Sequence, residues 1–222
     1  MHLALRTGIS FCHVDGRLLF LDVIADRYFC LSSPAEKSFL GLVETGGRVA
    51  EREHALDTLV SRGMLVEAAQ PVPLKPCTLR PLPEESVLDQ PLPRGGVRQA
   101  IGALGGLAAV QLRLKIFGLA RTLSAISLMK ARLEPARGDP DVLLCRTMAG
   151  FVRATGIATI LDNCLGQSIA IAHDMLARGV RPDVVLGVRL GPFNAHCWVQ
   201  YEDRLVNDRF DMVRTFTPIL VI

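Results

Sequence analysis

Short runs of β-forming residues open the chain, at Ile9–His13, Arg17–Asp22 and Arg27–Leu31. Val14-Asp15-Gly16 and Ala25-Asp26 separate them as turn sequences, which predicts an antiparallel meander. The period then changes from two to 3.6. Ala35, Phe39, Leu40 and Val43 recur at helical spacing behind Ser33, Pro34 and Glu36, which read as an N-cap, a first-turn proline and the acid of a capping box. Gly46-Gly47 ends this helix. A second helix is predicted over Glu51–Arg62, with Ala55, Leu56, Leu59 and Val60 on one face and Gly63 as its stop. Met64-Leu65-Val66 reads as a short strand.

Residues 70–96 break both periods. Pro71, Pro73, Pro76, Pro81, Pro83, Pro91 and Pro93 crowd the segment, and Gly95-Gly96 close it. Proline at that density blocks helices and central strands, so the segment is read as a partly extended linker between a domain at 1–69 and one at 97–222. Helical patterning resumes over Val97–Ala131, as two helices with a break near Gly118, and again over Val142–Thr155 after a loop at Pro135–Pro140. Leu165–Arg178 forms a third helical pattern, closed by Gly179. Strands are predicted at Val184–Leu190, Ala195–Tyr201 and Leu205–Asp208. Helices followed by an antiparallel sheet make this domain α+β.

Composition narrows the picture. Half of the 222 residues are apolar, enough for a real core. The net charge of +3 comes with no dense Lys/Arg block, so nucleic acid is not expected as a partner. The uncharged stretch Gln99–Leu112 is too short to span a bilayer and reads as a helix packed on protein, so no integral span is expected. Met1 to Arg6 lacks the layout of a signal peptide, and the expected location is the cytoplasm with reduced cysteines. Cys12, Cys30, Cys77, Cys145, Cys164 and Cys197 are scattered, with no Cys-x-x-Cys pair, which argues against zinc. There is no P-loop. No metal or other cofactor is expected.

Cys164 is the cysteine that calls for a further explanation. It follows Asp162-Asn163 at a helix start, where free amides and the helix dipole favour a thiolate. On its own a cysteine there is more often a packing residue. His196 adds to the pattern, because it opens the apolar strand Ala195–Val199 behind a Gly191-Pro192 turn. A cysteine followed downstream by a histidine is the layout of a Cys–His peptidase. His173 competes as base, but it lies nine residues after Cys164 on the same helix, half a revolution away. The group that would orient the histidine is open between Asp203, Asn207, Asp208 and Asp211. A two-residue turn at Glu202-Asp203 would favour Asn207. A three-residue loop or an equivalent bulge would bring Asp208 to the histidine's face.

Several blocks in one order resemble a known family. Cys164-Leu-Gly-Gln-Ser-Ile-Ala170, Leu176-Ala-Arg-Gly179, Leu186-Gly-Val-Arg189, Pro192-Phe-Asn-Ala-His196-Cys-Trp-Val199 and Leu205-Val-Asn-Asp208 are similar to the lasso-peptide biosynthesis B protein. That resemblance implies a transglutaminase-like, papain-like cysteine peptidase domain whose Cys-His-Asp triad falls on Cys164, His196 and Asp208. It also implies an ATP-dependent, asparagine-synthetase-like lasso cyclase as partner. The first domain resembles the winged-helix-like PqqD-like leader-recognition element, three strands followed by helices. In that family the leader of a ribosomally made precursor peptide adds as a strand beside the third strand and packs on the last helix, which is β-augmentation. The implied leader-binding residues are Arg27, Tyr28, Phe29, Cys30 and Leu31 on the strand, with Leu56 and Leu59 on the helix.

Overall fold

The computed structural model describes residues 1–49, 53–79, 81–134, 138–155 and 163–222. Glu51, the expected start of the second helix, Asp162, and positions 135–137 of the expected loop lie outside the described residues. The chain divides into two compact units, Met1–Thr78 and Leu79–Ile222.

In the first unit, β2 (Ile9–Val14), β3 (Arg17–Asp22) and β4 (Arg27–Cys30) form the meander, in the sheet order β2-β3-β4. Val14 pairs with Arg17 across Asp15-Gly16, both at positive φ, the conformation a tight hairpin turn requires. The strand β1 (His2–Leu5), absent from the sequence pattern, pairs antiparallel with β5 (Leu65–Ala68). Helices α1 (Ser33–Glu44) and α2 (His54–Ser61) complete the unit. Phe11, Phe20 and Phe39 meet at 5.1–5.5 Å between ring centroids and centre a core that includes Leu56, Leu59 and Leu65.

The capping box does not form. Ser32 is the N-cap of α1 and no side chain caps it. Glu36 turns instead toward β3, where its Oε1 accepts the Leu18 amide (2.8 Å) and its Oε2 accepts Arg17 Nε (2.9 Å). The reason lies in the sheet: β4 ends at Cys30, opposite Leu19, which leaves Leu18 without a strand partner on that side. A buried amide needs an acceptor, and Glu36 supplies it.

The proline-rich segment is shared between the units. Leu74 is buried in the first core, whereas Leu79 belongs to the second. Glu85–Ser86 form a short strand, β6. The second unit continues with α3 (Val97–Ala131), α4 (Pro140–Thr155), α5 (Cys164–Ala177), β7 (Asp183–Arg189), β8 (Asn194–Tyr201), β9 (Arg204–Leu205), α6 (Phe210–Val213) and β10 (Thr217–Val221). Helix α3 is broken by Gly118 (φ 74°, ψ 177°), the position its sequence suggested. By length and composition α3 could cross a membrane, a property the shorter window Gln99–Leu112 did not suggest. The sheet order is β10-β7-β8-β9-β6, antiparallel except where β6 runs parallel to β9. Strand β10 was not anticipated: the apolar run at the C-terminus pairs with β7 and extends the sheet. The architecture is α+β, with α5 packed on β8 and α3 packed on α4 and α5.

Candidate active site

Cys164 is the first residue of α5, and Asn163 caps that helix by accepting the Gly166 amide on Oδ1 (3.2 Å). His196 is the third residue of β8. Asp208 follows β9 and faces His196 through a hydrogen bond between Oδ2 and Nε2. With Nε2 engaged, Nδ1 is the nitrogen left for the thiol, and His196 and Cys164 are hydrogen-bonded partners. The structure thus brings Cys164, His196 and Asp208 into one line of contacts. His173 is exposed and lines a groove between α3, α4 and α5 instead.

The hairpin leading to Asp208 has a two-residue turn: Tyr201 pairs with Arg204 and Gln200 with Leu205. In a regular ladder that register points Asp208 away from His196. The ladder does not continue, however. The Val206 amide still donates to the Val199 carbonyl (2.9 Å), but the Val199 amide donates to the Asn207 side chain (Oδ1, 2.7 Å) rather than back to a main-chain carbonyl. The side chain of Asn207 ends the strand and does the work of a bulge, and Asp208 turns to the histidine. Asp208 is then fixed twice more. Its Oδ1 accepts the Arg209 amide (2.7 Å), and its carbonyl accepts Ser86 Oγ from the proline-rich segment (2.6 Å).

Because β9 stops at Leu205, the edge of β8 at Cys197 is open to α5. The Cys197 amide donates to the Cys164 sulfur, and its carbonyl accepts Ser168 Oγ (2.8 Å), one helical turn along. Asn207 Nδ2 in turn donates to Ser168 Oγ (3.0 Å). One fully buried hydroxyl therefore ties together the helix carrying the cysteine, the strand carrying the histidine and the loop carrying the aspartate. The sequence pattern assigned Ser168 no role of its own. A hydroxyl on the buried face of an apolar helix was the available signal.

The electrostatics follow from these contacts. The hydrogen bond from His196 holds the Cys164 thiol below its ordinary value, with smaller help from the Cys197 and Leu165 amides against the cost of burial. Asp208 above all, and Cys164 next, push His196 up to about 9. Both shifts favour a thiolate–imidazolium pair. Burial pushes the neighbouring Cys197 thiol far up, so it stays protonated and inert. Phe216 lies 5.1 Å from the His196 ring and Trp198 6.2 Å, flanking it with aromatic surface. The arrangement supplies a nucleophile, a base that can return the proton, and amides near the sulfur for a developing oxyanion. Among the described residues no cluster of His, Cys, Asp or Glu could hold a metal.

In the first unit a groove of about 640 Å³ runs beside β4, which is an edge strand, and α2. Arg27, Phe29, Cys30, Leu31 and Leu59 line it. Tyr28 and Leu56 are not among the lining residues, and Leu56 is packed into the core.

Neither a curated protein nor a solved structure matches the chain. A family model, that of the transglutaminase-like superfamily, matches residues 106–221, more than half of the chain and all three residues of the Cys164–His196–Asp208 line. Proteins of that superfamily typically carry cysteine-type catalysis, as proteases or transferases. The protein belongs to the transglutaminase-like superfamily.

Proposed function

We propose that this protein is a leader peptidase of lasso-peptide maturation, with Cys164 as nucleophile, His196 as base and acid, and Asp208 as the group that orients the histidine. The observation that carries the reading is the Cys164–His196–Asp208 line of contacts inside a transglutaminase-like domain. In the proposed reaction the Cys164 thiolate attacks the carbonyl carbon at the leader–core junction. The His196 imidazolium gives its proton to the departing core amine as the C–N bond breaks. The leader is left as a thioester on Cys164. Water, deprotonated by His196, then cleaves the C–S bond and releases the leader carboxylate.

The lasso assignment rests on the sequence blocks around Cys164, His196 and Asp208. The groove beside the β4 edge supports a PqqD-like role for the first unit, because an extended leader could add to that edge and seat side chains against Phe29, Leu31 and Leu59. The freed core amine would pass to an ATP-dependent, asparagine-synthetase-like cyclase.

The test is mass spectrometry of a lasso precursor incubated with wild-type and Cys164→Ala protein. Wild type should yield separate leader and core, and the variant neither. Cleavage by Cys164→Ala would overturn the reading. Acyl transfer is the second reading, since an amine in place of water at the thioester uses the same three residues. Added amine captured in the leader product in preference to water would favour it.

A further inference from the structure

Helix α3 is apolar on two sides. Ala100, Ala103, Leu107 and Val110 are buried where the helix packs on α4 and α5. About 150° round the helix, at 100° per residue, runs a second stripe of Val97, Ile101, Leu112 and Ile116. These four large side chains are exposed: Ile101 at 63%, Leu112 at 59% and Ile116 at 60% of their surface. A helix apolar all round belongs either in a core or against lipid. The buried side is committed to α4 and α5, so α3 cannot leave the fold to span a bilayer.

The charge around the stripe indicates what covers it. Between Asp89 and Glu134 the chain has no acidic residue, but it has Arg94, Arg98, Arg113, Lys115, Arg121, Lys130 and Arg132. The remainder of the chain carries more acids than bases, so the positive charge of the protein is concentrated here. Arg98 and Lys115, both exposed, flank the stripe, each about 50° from its centre. Lys130 is paired with Asp183 (2.6 Å) and is excluded. An apolar stripe about 30 Å long with a cation on either side suits an anionic bilayer surface: the apolar groups enter the acyl boundary while the flanking Arg98 and Lys115 reach the phosphates.

We infer that the outer face of α3 is a peripheral docking surface for anionic membrane. The site is independent of the peptidase reading, since none of its residues touches Cys164, His196 or Asp208.

The test is flotation of the full-length protein with vesicles of phosphatidylcholine alone or with roughly a third phosphatidylglycerol. Wild type should float with the anionic vesicles, about tenfold less with neutral ones, and less as salt rises. Leu112→Ser with Ile116→Ser should abolish flotation while leaving the circular dichroism spectrum and the thermal midpoint unchanged. Val142→Ser, an exposed apolar position on α4, should leave flotation intact. No flotation of wild type, or equal flotation of the double variant, overturns the inference. So does a dimer in sedimentation velocity that the double variant dissociates, because the face would then belong to a second copy.

Discussion

Asn207 accepts the Val199 amide on its own side chain, and in doing so ends the β8–β9 ladder one residue before Asp208. The position of the proposed orienting carboxylate therefore depends on a neutral neighbour. Asn207→Ala would leave the Val199 amide without its acceptor and remove a donor to Ser168 Oγ. The expected cost is about 1–3 kcal/mol of stability, with a loss of catalytic rate greater than the change in substrate affinity. Urea unfolding and a separate reading of kcat and KM check both parts. Wild-type kcat in the variant would show that Asp208 holds its place without this tether.

The ion pair sets a pH window. His196 is raised to about 9, so its bond to Asp208 contributes fully below the ordinary value of 6.5 and is lost as pH rises through about 9. Cys164 runs the other way. Its lowered value makes the thiolate's contribution complete above the ordinary 9.0 and lost as pH falls through the lowered one. The thiolate–imidazolium pair therefore exists between the lowered Cys164 value and about 9. Alkylation of Cys164 by iodoacetamide should have its midpoint below 9.0, and cleavage should fall off near pH 9.

Asp208→Ala removes the largest cause of the raised histidine. The alkaline limb of kcat/KM should then move down from about 9 toward 6.5. In a Cys164→Ala background the stability lost through Asp208→Ala should be evident at pH 6 and fade by pH 10, measured by chemical denaturation. A pH-independent loss would mean that Asp208 acts in packing alone.

Gly187 lies directly opposite His196 in the β7–β8 register. A Cβ there would stand 2.5 Å from the ring of Trp198, which is fully buried. Gly187→Ala should cost about 1–3 kcal/mol by overpacking, visible as a lower thermal midpoint, and should reduce activity because the strand that moves carries the histidine.

Glu36→Ala strands the Leu18 amide in the first unit. The expected loss is about 1–3 kcal/mol, with faster hydrogen exchange at Leu18, whereas Glu36→Gln, which keeps an acceptor, should lose less. Neither change should alter iodoacetamide reactivity at Cys164.

The elements that were legible in the sequence are those with strong local signals. The meander had its turns at Asp15-Gly16 and Ala25-Asp26, and α5 had Asn163 and Gly179 at its ends. Cys164 and His196 were legible for the same reason, since each opens a clearly patterned element. What escaped depends on long-range pairing. Strand β1 has meaning only beside β5, and β10 only beside β7. Glu36 looked like a local cap because its real partner, Leu18, is set by where β4 stops. Asp208 is the most instructive position. The two-residue turn argued for Asn207 as the orienting group, yet Asp208 faces His196, because the Val199 amide donates to the Asn207 side chain in place of the main-chain carbonyl that a regular ladder would supply.

The hydroxyl of Ser86 that holds the Asp208 carbonyl comes from a stretch that looks like a dispensable tether. For anyone dissecting the protein, a fragment trimmed to begin at residue 97 would keep Cys164, His196 and Asp208 and discard β6, Ser86 and the Pro81 carbonyl that anchors Gln200 (2.7 Å). A fragment of the first unit ending at residue 69 would likewise lose Leu74 from its core. Severing the chain between Thr78 and Leu79 leaves Leu74 with the first core and Leu79 with the second, and that is where a pair of separately expressed polypeptides should be divided.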